Sequence, residues 1–336
     1  MQIDQIKNLN DILQALNIKA NCVNYQCIDN YFYYDIQLLS KTKVNAIKRY
    51  SDEISLALKT EGAPNFKIIP NLGIIRLEFT SLRSKKLKLF EYFTNEDVPD
   101  GDLICLLGQS SYGERMWVDL AQNPHMIIAG STGSGKSTLL HNIIANIINF
   151  NNANLLLIDP KNIEFENYNK LVGANIKVYH SYSESMKVID YMINLMEYNY
   201  QIMRNGTPAK DILYTVLIID EFADLIMQDK EYQFHDKLCK LAQKCRSARI
   251  SIILSTQRPS VSVVSGAIKA NFPARIACRV ASHIDSKVIL DAVGAENLLG
   301  HGDALLRGSH REIERFQVAY TDSTEICNKF QNYASS

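Results

Sequence analysis

The segment IIAGSTGSGKSTLL, residues 127–140, restricts this chain more than any other. Gly130 to Ser137 fits GxxxxGK[ST] in full, after an apolar run and ahead of Leu139, Leu140, Ile143, Ile144 and Ile147 at helical spacing. A buried strand running through a glycine-rich turn into a helix aims backbone N–H groups, and the positive end of the helix, at phosphate oxygens. Gly130, Gly133 and Gly135 permit the turn, and Ser131, Thr132, Ser134 and Thr138 complete the expected cradle. Lys136 is expected to bridge the β and γ phosphates of ATP, and the Ser137 hydroxyl to ligate Mg²⁺.

From residue 103 onward, short apolar runs alternate with helical patterns, as in a parallel sheet with crossover helices. The runs are MIIA at 126, LLLI at 155, KVYH at 177, TVLII at 215, ISIILS at 250 and RIACRV at 275. Met186, Ile189, Ile193, Met196 and Met203 mark a helix between the third and fourth runs, and Asn205-Gly206 supplies its stop. Residues 1–98 mix helical and strand patterns and read as a small α+β domain. The polar stretch TNEDVPDGD at 94–102 is the candidate linker to an α/β domain over 99–336.

TVLIIDEFADL ends an apolar strand in two carboxylates, Asp220 and Glu221, at the edge where open α/β sheets bind ligands. Asp220 is suited to hold the metal through water, and Glu221 to polarise an attacking water as general base. Such a pair also serves as a helix cap; the full phosphate loop upstream favours the catalytic reading.

Composition sets the outer limits. Hydrophobic residues make up 46% and charged residues 21%, an ordinary globular balance that excludes disorder and collagen-like repeats. Thirty-six basic residues match 36 acidic ones, so no bulk positive field advertises nucleic acid, and a polyanion must be met by local basic loops. Seven cysteines without close CxxC pairs read as reduced thiols of a cytoplasmic protein. No apolar run approaches the roughly 18 residues of a membrane span.

Three stretches then carry a resemblance: VDLAQNPHMIIAG at 118–130, LLLIDPKNIEFENYN at 155–169, and residues 240–306 from KLAQKCRSARISIILSTQRPS to GHGDALL. They resemble the motor of the FtsK/SpoIIIE family of double-stranded DNA translocases, with a likeness that is dense from 118 to 322. The resemblance implies a RecA-like ATPase that assembles as a hexameric ring around duplex DNA, with the family's α domain preceding it. It places the metal-binding acid on Asp220, the catalytic acid on Glu221, a trans-acting arginine finger on Arg246 and a γ-phosphate sensor on Gln257. Taken alone, Arg246 fits a solvated basic helix face beside Lys240 and Lys244, and Gln257 fits a satisfied strand-end polar group.

The resemblance also places DNA contacts on Arg258 and on a loop at 282–287 that holds His283 and Lys287. The family commonly has Lys and Arg in that loop. Histidine is mostly neutral at pH 7, so the chain is expected to grip phosphates more weakly there; a surface histidine without a role is the equal alternative. The family's membrane anchor and orientation-reading winged helix do not fit in 336 residues, which implies sequence-independent movement with polarity set by a recruiting partner. Two other readings remain: an FtsK-like ATPase that couples a DNA-processing or secretion complex to a channel, and a nucleotide-gated scaffold with little turnover.

Overall fold

The computed structural model describes residues 2–28, 31–39, 42–80, 87–93, 98–150, 153–171, 175–308 and 313–331. Part of the candidate linker, 94–97, lies outside the described residues.

The chain opens with helix α1 (Gln2–Ala15), which turns Leu9 and Leu13 inward. Strands β1 (Ala20–Ile28) and β2 (Tyr31–Leu38) pair antiparallel behind it. The helical pattern of 44–59 divides into α2 (Val44–Arg49) and α3 (Ser51–Leu58), and α3 stops at Lys59, whose φ of 58° is left-handed. Strands β3 (Asn65–Ile69) and β4 (Ile74–Thr80) complete an antiparallel sheet of order β1-β2-β4-β3. Its core joins Leu9, Leu13, Ile36, Ile47, Ile54, Leu77 and Phe79.

A second, ten-stranded sheet follows. It begins with β5 (Ile104–Ser110), β6 (Arg115–Asp119) and β7 (His125–Ala129), then α4 (Lys136–Phe150), β8 (Ala153–Ile158) and β9 (Ile176–Tyr179). Helix α5 (Tyr182–Arg204) starts at a capping box between Ser181 and Glu184 and ends at Asn205, with Gly206 at φ 99°. Next come β10 (Tyr214–Ile219), α6 (Phe222–Gln228), α7 (Gln233–Lys244), β11 (Ile250–Thr256) and α8 (Gly266–Asn271). The chain closes with β12 (Ala274–Cys278), α9 (His283–Leu290), β13 (Asp303–Arg307), β14 (Ile313–Val318) and α10 (Ser323–Phe330).

The order is β6-β5-β14-β13-β12-β7-β11-β10-β8-β9, parallel from β12 through β9 and antiparallel on the other side. The six runs read as strands in the sequence are the six parallel strands. The inner ones are covered on both faces, so their side chains alternate between two cores. In β10, Val216 and Ile218 join the core under α4, while Leu217 and Ile219 join the core under α5 and α7. The expected α/β architecture with a mostly parallel sheet is observed. Among the described residues no helix is long and apolar enough to cross a membrane.

Candidate functional site

The carboxyl ends of β7, β8, β10 and β11 meet at one edge, because these strands are parallel neighbours in the sheet. The glycine-rich turn leaves β7 there. Gly130 donates its N–H to the Thr256 carbonyl, and Ser131 is held to the Arg279 carbonyl through both N–H (2.9 Å) and Oγ (3.0 Å). The turn is further fixed from below: the His301 and Gly302 N–H groups donate to the carbonyls of Gly133 and Ser134. Gly133 and Gly135 have φ of 75° and 101°, backbone that L side chains rarely adopt. The turn leads into α4, which starts at Lys136 and carries Ser137 and Thr138 in its first turn.

Lys136, Asp220 and Glu221 are 3%, 2% and 1% exposed. The Lys136 ammonium donates to Asp220 Oδ1 at 2.7 Å and to Ser255 Oγ at 2.9 Å. Burial pushes the Asp220 carboxyl upward and the Lys136 charge opposes it. Glu221 is tied to the end of β11: Oε1 accepts from Thr256 Oγ1 at 2.7 Å, and Oε2 accepts from the Gln257 N–H at 3.1 Å. Gln257 in turn accepts from the Thr132 hydroxyl at 3.3 Å. Residues that lie more than 100 apart in sequence thus form one hydrogen-bonded cluster.

Three members of this cluster went unrecognised in the sequence. Ser255 and Thr256 precede Gln257 at the strand end and hold the two charged side chains. Glu164 accepts from Ser137 Oγ at 2.7 Å, and its other oxygen lies 3.3 Å from His141 Nε2. The hydrogen bond with His141 leads the effects that hold the Glu164 carboxyl down to about 2, against its partial burial. The signal was present in IDPKNIEFE: Asp159 ends β8 on the same edge, and its carboxylate accepts from the N–H groups of Lys161, Ile163, Glu164 and Phe165. That knot presents Glu164 to the start of α4.

The remaining expected residues lie apart from the cluster. Arg246 sits between α7 and β11, at the amino end of the strand whose carboxyl end carries Thr256. Seven strand residues separate those ends by roughly 20 Å. The exposed Arg246 lines a cleft of about 690 Å³ with Gln243, Asn271 and Pro273. Arg258 is exposed on the carboxyl edge, its guanidinium against the Met227 sulfur at 3.6 Å. His283 and Lys287 are exposed one turn apart on α9. Within the stretch 282–287, residues 283–287 are therefore helical rather than the expected loop, and Ser282 caps them by accepting from the Asp285 N–H.

The site's chemistry fits a magnesium nucleotide. A Cβ on Gly133 would meet nothing within 4 Å, so the turn is open on that side. The first N–H groups of α4 have no intrahelical acceptor, and Ser137 and Asp220 supply oxygen donors of the kind a hard cation takes.

The FtsK/SpoIIIE family model matches residues 93–210 and 206–261. The DNA translocase FtsK of Haemophilus influenzae is 31% identical, over 94% of this chain and 68% of that protein. The chain belongs to the FtsK/SpoIIIE family. FtsK of Listeria monocytogenes (33% identical) and the DNA translocase SpoIIIE of Bacillus subtilis (31%) match 97% and 96% of it. The chain spans about half the length of these two relatives, 47% and 44%. Among solved structures, the pCW3 conjugation coupling protein TcpA superposes with a TM-score of 0.67 at 18% identity, covering 97% of this chain and 99% of that one. The cytoplasmic domain of the Thermomonospora curvata Type VII secretion ATPase EccC gives 0.62 at 20%, covering 75% and 34%. At these identities the two superpositions establish that the family member shares their fold.

Proposed function

We propose that the chain is an ATP-hydrolysing motor that moves along double-stranded DNA without reading its sequence, working as a hexameric ring. The observation that carries this reading is the convergence of the phosphate turn, Lys136, the carboxylates Asp220 and Glu221, and Gln257 on one sheet edge. Family relatives named as DNA translocases support duplex DNA as the track.

Lys136 and the N–H groups of the turn bind the β and γ phosphates, and Ser131, Thr132, Ser134 and Thr138 line that cradle. Ser137 and Asp220 would hold a Mg²⁺ ion, which would neutralise phosphate charge when bound. Glu221 orients the attacking water and takes its proton. Gln257, linked to both the turn and Glu221, reports the state of the γ-phosphate to the Arg258 segment that follows it. Arg246 cannot reach the nucleotide of its own subunit from the opposite sheet edge, so it acts on a neighbour's, where such a finger is worth about 10³–10⁵ in rate. Arg258, His283 and Lys287 are the DNA-facing groups, and a partner protein supplies recruitment. A small α+β domain over 1–98 and a motor domain over 99–336 complete the proposed organisation.

The test is ATP hydrolysis with and without long duplex DNA at two salt concentrations. Stimulation by duplex that weakens with salt is expected, since backbone contacts release counterions. A rate unaffected by duplex at both concentrations overturns the translocase reading.

A further inference from the structure

Ser137 carries one hydroxyl proton, and in this fold that proton is committed. It is donated to Glu164 Oε1 at 2.7 Å, while Asp220 is engaged with Lys136. The second Glu164 oxygen lies 3.3 Å from His141 Nε2, and His141 Nδ1 lies 2.9 Å from the Tyr168 hydroxyl. Ser137 and His141 sit four residues apart on α4, hence on one helix face, and both meet the same carboxylate. Asp159 fixes the backbone of Glu164 from the other side with a 2.8 Å hydrogen bond to its N–H. Glu164 is thus braced at its main chain and at both carboxylate oxygens, as a group must be to hold another in a set orientation.

We propose that Glu164 is the positioning residue for the metal end of the nucleotide site: by taking the Ser137 proton, it leaves both hydroxyl lone pairs free for Mg²⁺. A hydroxyl has one donor and two acceptor lone pairs, so fixing the donor direction fixes where the lone pairs point. His141 and Tyr168 act through Glu164 and touch neither nucleotide nor metal. This assignment rests on the nucleotide-site reading and adds a residue to it.

The experiment measures binding of a fluorescent, non-hydrolysable ATP analogue to the full chain, first in EDTA and then along a MgCl₂ titration. Glu164→Ala is expected to leave affinity in EDTA unchanged and to raise the Mg²⁺ concentration for half-maximal tightening by about tenfold or more. Glu164→Gln, whose amide oxygen still accepts the Ser137 proton, is expected to stay much closer to wild type than Glu164→Ala. Adding Glu164→Ala to Ser137→Ala has no further effect, because the proton it would accept is gone. Equal loss in EDTA and in Mg²⁺, wild-type Mg²⁺ dependence in Glu164→Ala, or additive loss in the double variant overturns the proposal. A wild-type chain that binds no analogue in either condition overturns the nucleotide-site reading itself, which is a separate failure.

Discussion

Lys136 Nζ lies 2.7 Å from Asp220 Oδ1, and both side chains are closed off from water. The cation proposed to bind phosphate and the acid proposed to hold the metal therefore neutralise each other in this structure. The helix that begins at Lys136 and the strand that ends before Asp220 arrive from 84 residues apart in sequence. Removing either partner leaves an uncompensated buried charge.

Lys136→Ala is accordingly expected to abolish ATP binding and also to destabilise the fold by about 3 kcal/mol. Thermal melting checks the second effect. Asp220→Asn in the same chain restores most of the stability, since no charge is then stranded, but does not restore binding. A Lys136→Ala chain as stable as wild type would mean that water reaches Asp220.

Glu221 depends on its neighbours at the end of β11. Glu221→Gln is expected to retain ATP binding and to lower the hydrolysis rate by about 10²–10⁴. Thr256→Val keeps the side-chain volume but deletes the hydroxyl that donates to Glu221 at 2.7 Å. It is expected to slow hydrolysis by about tenfold, within the range for a lost hydrogen bond to a charged group. Single-turnover hydrolysis separates both from binding effects.

What the sequence made legible follows from how far each signal reaches along the chain. The glycine-rich turn between a strand and a helix, the six parallel strands and the Asn205-Gly206 helix stop are local patterns, and all appear where the residues imply. The antiparallel strands β5, β6, β13 and β14 were not foreseen; β5 meets β14 across some 200 residues, and no local period records that pairing. Glu164 was missed for the same reason: its partners Ser137 and His141 belong to a different helix. The helical character of 283–290 rests on the cap from Ser282, a local signal that the DNA-loop expectation overrode.

Gly135 tests the support beneath the turn. Its φ is 101°, and a Cβ there would come within 2.3 Å of the Gly302 nitrogen and 2.5 Å of its Cα, both main-chain atoms that cannot swing aside. Gly135→Ala is expected to displace the 300–302 segment, to abolish ATP binding and to lower the melting temperature. Gly133→Ala, which meets nothing within 4 Å at φ 75°, suffers only the backbone strain and is the milder of the two. Equal effects would show that strain, not the close approach, governs the turn.

Stability at acid pH is expected to depend on His125. Burial, the leading cause, pushes this imidazole down to about 4, and the positive charge of Arg246 acts in the same direction. The unfolded chain has the ordinary value near 6.5, so below that pH it takes up a proton that the folded chain refuses. This contribution is complete above about 6.5 and is lost as pH falls toward 4, amounting to about 3 kcal/mol. Denaturant titrations at pH 7, 5.5 and 4.5 check it: His125→Leu should flatten the slope over that interval. An unchanged slope would assign the acid sensitivity to carboxylates elsewhere.

Arg246 decides whether neighbouring subunits share a site. It stands at the amino edge of the sheet, a strand's length from the phosphate turn that leaves the carboxyl edge. Arg246→Ala is therefore expected to preserve nucleotide binding and assembly while lowering hydrolysis by about 10³ or more. Mixing it with Lys136→Ala subunits supplies interfaces that pair an intact turn with an intact arginine, so activity should return in proportion to such interfaces. If mixtures stay inactive although both variants assemble, the arginine does not act across the seam and belongs to a solvated surface.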